Sequence, residues 1–254
     1  MTALVDADSL LYKVCCAIED KVVWNELEVE TKLEEENDTQ YFTDIEQCYR
    51  TFDQVVANIQ FATDCDDVFL VFTGSSNFRM DLGCSYKENR KDLRKPLGYQ
   101  EVIDYALKKY PSTRVDYMEA DDYVVYYKTA QPEDFILCAI DKDVLYQTEG
   151  THYNYMTDEE VTITEFEAIK FAYWQVLVGD TADGYKGCPG IGKVKADRLL
   201  ADCKTEEELW SVVVESYEKK GLTIDDAICT MRLANMHQFD GDHIVYWNPP
   251  EASN

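Results

Sequence analysis

Four groups of acidic residues stand where apolar runs end or helical patterns begin. They are Asp6, with Asp8 two residues on, then Glu119-Ala120-Asp121-Asp122, Asp141-Lys142-Asp143, and Asp180 with Asp183. Carboxylates brought together repel: two unit charges about 4 Å apart cost about 4 kcal/mol at an effective dielectric near 20. Raised pKa values or bound cations relieve that repulsion. Oxygen-only donors suit Mg²⁺ or Mn²⁺ rather than Zn²⁺. Two such ions about 3.5–4 Å apart form a clamp that cleaves phosphodiesters. Any one Asp here reads equally well as a helix N-cap; four groups that are all caps are far harder to accept.

A second motif is Gly187-Cys188-Pro189-Gly190-Ile191-Gly192, set between two helical patterns. Pro and Gly turn the chain tightly, and the N–H groups opening the next helix can hold a phosphate. Lys186, Lys193, Lys195 and Arg198 surround it against Asp197, a net of +3 over 186–198. This is the pattern of a helix-hairpin-helix that grips a nucleic-acid backbone; an ordinary helix–helix turn is the alternative. It follows a helix and not a strand, so it is no dinucleotide site. Residues 73–98 are also basic, net +3, through Arg79, Lys87, Arg90, Lys91, Arg94 and Lys95.

The elements that must position these groups follow from periodicity. Apolar runs ending at Val5-Asp6, at 68–72 and at 135–140 predict buried strands, with another at 113–117. Helices are expected over 9–17 with Ser9 as N-cap, and over 45–62, 99–109 and 120–129. Alternation of strand and helix implies an α/β domain with a mostly parallel sheet, whose ligand crevice lies at the C-terminal strand ends. After about residue 160 the strands stop, and helices are expected over 164–178, 190–201, 205–219 and 223–236. Residues 24–44 read as an exposed hairpin or loop. Two parts result: 1–160, with an acidic insertion over about 19–67 and a basic segment over about 79–98, and 161–254, with the hairpin at 187–192.

The chain has 254 residues, 50 acidic against 24 basic, a net charge of −26, 46% hydrophobic residues and 18 Tyr. The aromatics exclude a wholly disordered acidic tail. No apolar stretch is long enough to span a membrane, no signal peptide is expected, and nine scattered Cys read as reduced thiols of a cytoplasmic protein. Taken whole, −26 argues against a phosphate backbone partner. Its distribution argues otherwise: 19–67 carries −12, while the two basic stretches are positive.

In order and spacing these motifs resemble the 5′-nuclease family, the flap endonucleases and especially phage-type 5′→3′ exonucleases. The resemblance runs through Val5-Asp6-Ala7-Asp8, then 72–79 with Tyr86-Lys87-Glu88-Asn89-Arg90, then the two acidic motifs at 119–122 and 141–143. It ends with Gly179-Asp180-Thr181-Ala182-Asp183-Gly184, which leads into the hairpin. It implies a PIN-like, mostly parallel sheet flanked by helices, with a C-terminal helical region holding the helix-hairpin-helix. It also implies a monomeric, two-metal-ion (Mg²⁺ or Mn²⁺) 5′→3′ exonuclease or flap endonuclease. The substrate would be duplex DNA with a free 5′ end or flap, or RNA primers in RNA–DNA hybrids, in phage replication or recombination. By the same resemblance Asp6, Glu119, Asp121 and Asp141 hold one ion, with Asp122 between the ions or behind them, and Asp143, Asp180 and Asp183 hold the second. Lys87 and Arg90 meet the scissile phosphate. Arg79, Lys91, Arg94, Lys95, Gly187, Gly190, Gly192, Lys193 and Lys195 contact DNA, K⁺ sits on the hairpin carbonyls, and Tyr86 or Phe78 is available to stack on a base. Gly74 departs from the acidic residue usual there, and Gly184 from the usual Asn. An acidic DNA mimic and a PIN-type ribonuclease are the rival readings.

Overall fold

The computed structural model describes residues 1–23, 39–90 and 93–250. The first half runs β1 (Thr2–Asp6), α1 (Asp8–Ile18), β2 (Asp20–Val23), β3 (Thr39–Phe42), α2 (Ile45–Thr63), β4 (Asp67–Thr73), α3 (Tyr99–Lys109) and β5 (Ser112–Val115). Then come α4 (Ala120–Ala130), β6 (Phe135–Cys138), α5 (Lys142–Tyr146), β7 (Gly150–Asn154) and β8 (Glu159–Ile163). The rest is α6 (Glu165–Val178), a minimal pair of β9 (Gly179–Asp180) and β10 (Tyr185–Lys186), α7 (Lys193–Leu200), α8 (Glu206–Glu218) and α9 (Ile224–Ala234).

Six strands form one sheet in the order β5-β4-β1-β6-β7-β8, parallel except for β8. Because strand side chains alternate in direction, one apolar strand feeds two cores. Ala3 and Val5 of β1 pack with Leu10, Phe52 and Val102 of α1–α3, whereas Leu4 packs with Val124 and Val125 of α4. Each such buried side chain contributes about 1.5–3 kcal/mol, more than the weak bias of helices this short. From β1 the chain passes outward through β4 to β5, then crosses back to β6 and β7. The crevice at the strand ends therefore opens beside β1, where Asp6 closes the strand.

A third core holds the helical region, with Tyr173, Val176 and Leu177 of α6 against Leu209, Val213 and Tyr217 of α8 and Met231 of α9. Thr164, Thr205 and Thr223 cap α6, α8 and α9 through capping boxes with Glu167, Glu208 and Asp226. No helix among the described residues is long and apolar enough to cross a membrane.

Several expectations need correction. Helix α1 begins at Asp8 with Ala7 as N-cap, so Ser9 lies inside it. The hairpin read over 24–44 is β2–β3, which starts earlier; its 24–38 span lies outside the described residues. The strands β7 and β8 were not foreseen: they form an antiparallel hairpin on the sheet edge, a departure from the PIN-like expectation.

Candidate active site

A cleft of about 550 Å³ opens over the C-terminal strand ends. Asp6, Asp8, Glu119, Asp121, Asp141, Asp143 and Asp183 line it, together with Lys87, Arg90, Arg94 and Lys95. Local structure explains each placement. Asp6 ends β1. Glu119 is the N-cap of α4, placing Asp121 in its first turn. Asp141 is the N-cap of α5, its carboxylate accepting from Asp143 N at 2.9 Å, so the cap reading of Asp141 and its place in the cleft hold together. Asp180 lies just outside the lining and accepts from Ala182 N (2.7 Å) and Asp183 N (3.2 Å), which folds the 180–183 turn toward the cleft.

The electrostatics separate these carboxylates into two neighbourhoods. Burial pushes Asp6 well above the usual carboxylate range, and repulsion from Asp8, Asp141 and Glu119 adds to it. Burial does the same to Asp121, aided by Asp6, Glu119 and Asp141. Asp143 is raised to about 6 by burial and by Asp141. Burial also works against Glu119, but Lys87 and Arg79 overcome it and bring the group down to about 2. Asp183 is raised by burial and Asp180 is lowered, where backbone N–H donors and Lys142 outweigh its burial.

Two lysines stand between the carboxylates. Lys87 pairs with Glu119 and lies 3.6 Å from Asp183, and Lys142 lies 2.5 Å from Asp143 and 3.4 Å from Asp180. As the side chains stand, no three candidate ligands among the described residues close around one point as an ion shell would. Arg90 donates to Asp183 Oδ1 (2.9 Å) and to the Ala182 carbonyl (3.0 Å). Lys87 N also bonds Asp183 O at 2.6 Å, so the segment carrying both cations is fixed on the 181–184 turn.

Not every expected residue arrives. Asp122 is fully buried, both its oxygens are held by Arg79 at 2.7 Å, and it does not line the cleft. Arg79, expected on a DNA-facing surface, is itself fully buried. Phe78 and Tyr86 are buried as well, so neither can stack on a base; Tyr86 instead donates to Glu119 Oε2 at 2.5 Å. Arg94 pairs with Glu19 and lies over the Tyr41 ring, whereas Lys95 is exposed at the cleft beside Tyr99. Lys91 lies outside the described residues.

Gly74 cannot be acidic in this chain: a Cβ there would stand 2.0 Å from Asp116 Oδ1 and 2.4 Å from the Val115 carbonyl. Overlooked in the ligand set is Asp8, whose spacing of two from Asp6 was the available signal; its carboxylate accepts from Thr73 N at 3.2 Å. Lys142 and the exposed Tyr12 at the cleft mouth were also passed over.

The glycine-rich stretch forms as expected but for divided reasons. Gly179 and Gly187 face each other with no room for a Cβ on either, so Gly187 serves packing. Pro189 and Gly190 (φ +75°) centre a turn closed by Ile191 N to Cys188 O at 3.1 Å, a type II arrangement. Gly190, Gly192, Lys193 and Lys195 are exposed beyond it. Lys220, from the far end of α8, comes within 3.5 Å of the place a Gly190 Cβ would occupy, a cation that sequence spacing could not assign.

No family model matches the chain. The exonuclease of Escherichia phage T7 is 25% identical over 286 aligned positions, covering 97% of this chain and 93% of that protein. The exodeoxyribonuclease of Enterobacteria phage T3 is 31% identical over 165 positions, 62% of this chain and 54% of that protein. Among solved structures, the bacteriophage T5 D15 flap endonuclease in complex with DNA and metal ions superposes with a TM-score of 0.64. It is 11% identical, with 93% of this chain and 89% of that chain covered. The fold is thus the flap-endonuclease fold, and the PIN-like description is corrected: the likeness covers 93% of the chain. The chain thus has the fold of a flap endonuclease and is similar over nearly its whole length to a phage exonuclease.

Proposed function

We propose that this chain is a divalent-metal-dependent 5′ nuclease that hydrolyses phosphodiester bonds of duplex DNA, from a 5′ end or at a 5′ flap. The observation that carries the proposal is the convergence of carboxylates from β1, α4, α5 and the 180–183 turn on one cleft that Lys87 and Arg90 also enter. The similar phage exonucleases and the metal-bound T5 flap endonuclease support it. The donor set fits a hard divalent cation: it is all oxygen, and Asp6, Asp8 and Asp121 are held above their usual range by burial, with neighbouring carboxylates adding to it. Mg²⁺ or Mn²⁺ is the reading that follows, with one ion near Asp6, Glu119, Asp121 and Asp141 and a second near Asp143, Asp180 and Asp183. Asp8 joins the first group, and Asp122 belongs to neither.

Such ions supply an activated water and neutralise the phosphate. The chain's own residues do the rest. Lys87 and Arg90 present donors to a phosphate at the cleft mouth and are held in place by the 181–184 turn. Tyr12, 46% exposed on α1, offers a ring on which a frayed base can stack. Lys193, Lys195 and Lys220 with the exposed Gly190 and Gly192 hold the duplex backbone without reading sequence. K⁺ at the hairpin belongs to the same reading; the Gly190 carbonyl there faces the Lys195 ammonium at 3.4 Å. The helical part after β8 then both holds the duplex and supplies Asp180 and Asp183 to the hydrolytic cleft.

Product mapping with Mg²⁺ on nicked, gapped, flapped and RNA–DNA hybrid duplexes tests the proposal. Release of 5′-phosphorylated products from at least one of them is expected. Neither binding nor cleavage on all four would instead favour the acidic mimic.

A further inference from the structure

Arg79 does not line the cleft, yet it is the largest fully buried side chain among the described residues. Every donor of its guanidinium that the fold uses is directed. Nη1 and Nη2 each meet one oxygen of Asp122 at 2.7 Å. Nε donates to the Leu233 carbonyl at 2.9 Å and Nη2 to that of Asn235 at 3.0 Å. Leu233 lies in the last turn of α9 and Asn235 is its C-cap, so the guanidinium satisfies carbonyls that a helix C-terminus leaves open and partially negative.

At its other end the same group reaches the cleft. Asp122 Oδ2 accepts from Glu119 N at 3.1 Å, and Arg79 Nη1 stands 3.7 Å from Glu119 Oε2. The guanidinium also lies 4.6 Å from the Phe78 ring centre and 5.9 Å from that of Tyr86, whose hydroxyl donates to Glu119. Glu119 is thus fixed through its backbone by Asp122 and through its carboxylate by Tyr86 and the Arg79 charge. One guanidinium therefore carries both the contacts behind Glu119 and those to the end of α9.

We propose that Arg79 is a positioning residue that couples docking of the helical region to the seating of Glu119 and Asp121 in the cleft. The inference rests on the metal-dependent reading of that cleft. A lysine cannot replace the arginine, because one ammonium cannot bridge a carboxylate and two carbonyls in a fixed fork.

Arg79→Lys keeps the charge and most of the volume and is the variant to measure. Supporting groups behind a metal site typically change metal affinity or activity by about 10–100-fold. The variant should therefore bind Mn²⁺ at least about tenfold more weakly by calorimetry and lose kcat by a similar factor, with KM for duplex within about twofold. In metal-free protein its amides at 119–123 and at 231–235 should exchange faster together. In the wild type the same two stretches should open as one unit, with a common free energy.

Mn²⁺ affinity and kcat at wild-type values beside a lowered Tm would reduce Arg79 to a purely structural residue. A raised KM with unchanged kcat would make it a DNA contact. Separate opening of the two stretches in the wild type would break the coupling. A wild type that binds no Mn²⁺ would fail differently, overturning the reading of the cleft itself.

Discussion

In the absence of divalent cations the cleft should make the protein less stable as pH rises from acid to neutral. Asp143 is the clearest source. It is 6% exposed, and its carboxyl titrates near 6 instead of 3.8 because of burial and the neighbouring Asp141. A group with a raised folded pKa binds its proton more tightly in the folded than in the unfolded chain. The folded state is therefore favoured below the window 3.8–6 and loses that advantage as pH rises through it. For Asp143 alone the loss is about 3 kcal/mol. Asp6 and Asp121 act in the same direction, both raised chiefly by burial. Glu119 acts oppositely: held at about 2 instead of 4.5 against the pull of burial, it stabilises above 4.5 and loses that stability as pH falls toward 2. Between pH 5 and 7.5 about 1.4 kcal/mol of the Asp143 contribution remains to be lost, which at this chain length corresponds to about 3–6 °C in Tm. Thermal unfolding in chelator at pH 5 and 7.5, followed by tryptophan fluorescence, measures it, and Asp143→Asn isolates the contribution. The wild type should melt lower at 7.5, the variant should lose most of that difference, and Mg²⁺ at pH 7.5 should restore the wild type. Equal or higher Tm at 7.5 in chelator, or an Asp143→Asn slope identical to wild type, would refute the electrostatic argument.

Two further outcomes follow from packing and charge. Gly74→Asp should not complete the cleft but lower stability by about 1–3 kcal/mol, since its Cβ would fall 2.0 Å from an Asp116 oxygen; denaturant unfolding checks it. Lys193→Ala and Lys195→Ala should raise KM for duplex with kcat little changed, and each should reduce the slope of log binding against log salt by about 1.

Much of the architecture was open to reading because it depends on local pattern. The helices over 99–109 and 120–129 fall where α3 and α4 stand, and the apolar runs before Asp6 and Asp141 lead into β1 and β6. The same periodicity put the carboxylates at strand ends, where the crevice of a parallel sheet must lie. What escaped depends on partners distant in sequence. Arg79 looked like one more cation of a basic stretch, yet its acceptors lie 43, 154 and 156 residues away. Asp122 is expected between the ions or behind them; helix geometry turns it about 100° from Asp121, which faces the cleft, and its partner Arg79 could not be read from spacing. Gly74 looked like a lost ligand, whereas the approach of β4 to the end of β5 forbids a side chain there. The acidic total misled for a related reason: net charge does not say where charges meet. Lys87 in the cleft and Lys142 beside it already stand between carboxylates that composition alone would count as repelling.

The most direct test of the account removes one charge from the cleft and leaves the fold alone. Asp141 caps α5 through a side-chain oxygen, and Asn caps a helix as well as Asp does, so Asp141→Asn retains that bond and removes only the anion. Release of 5′-terminal nucleotides from labelled duplex DNA should be measured with Mg²⁺ and with chelator, alongside duplex binding. The account predicts Mg²⁺-dependent release by the wild type, none above background by the variant, and duplex binding retained by both. Undiminished cleavage by Asp141→Asn would contradict it.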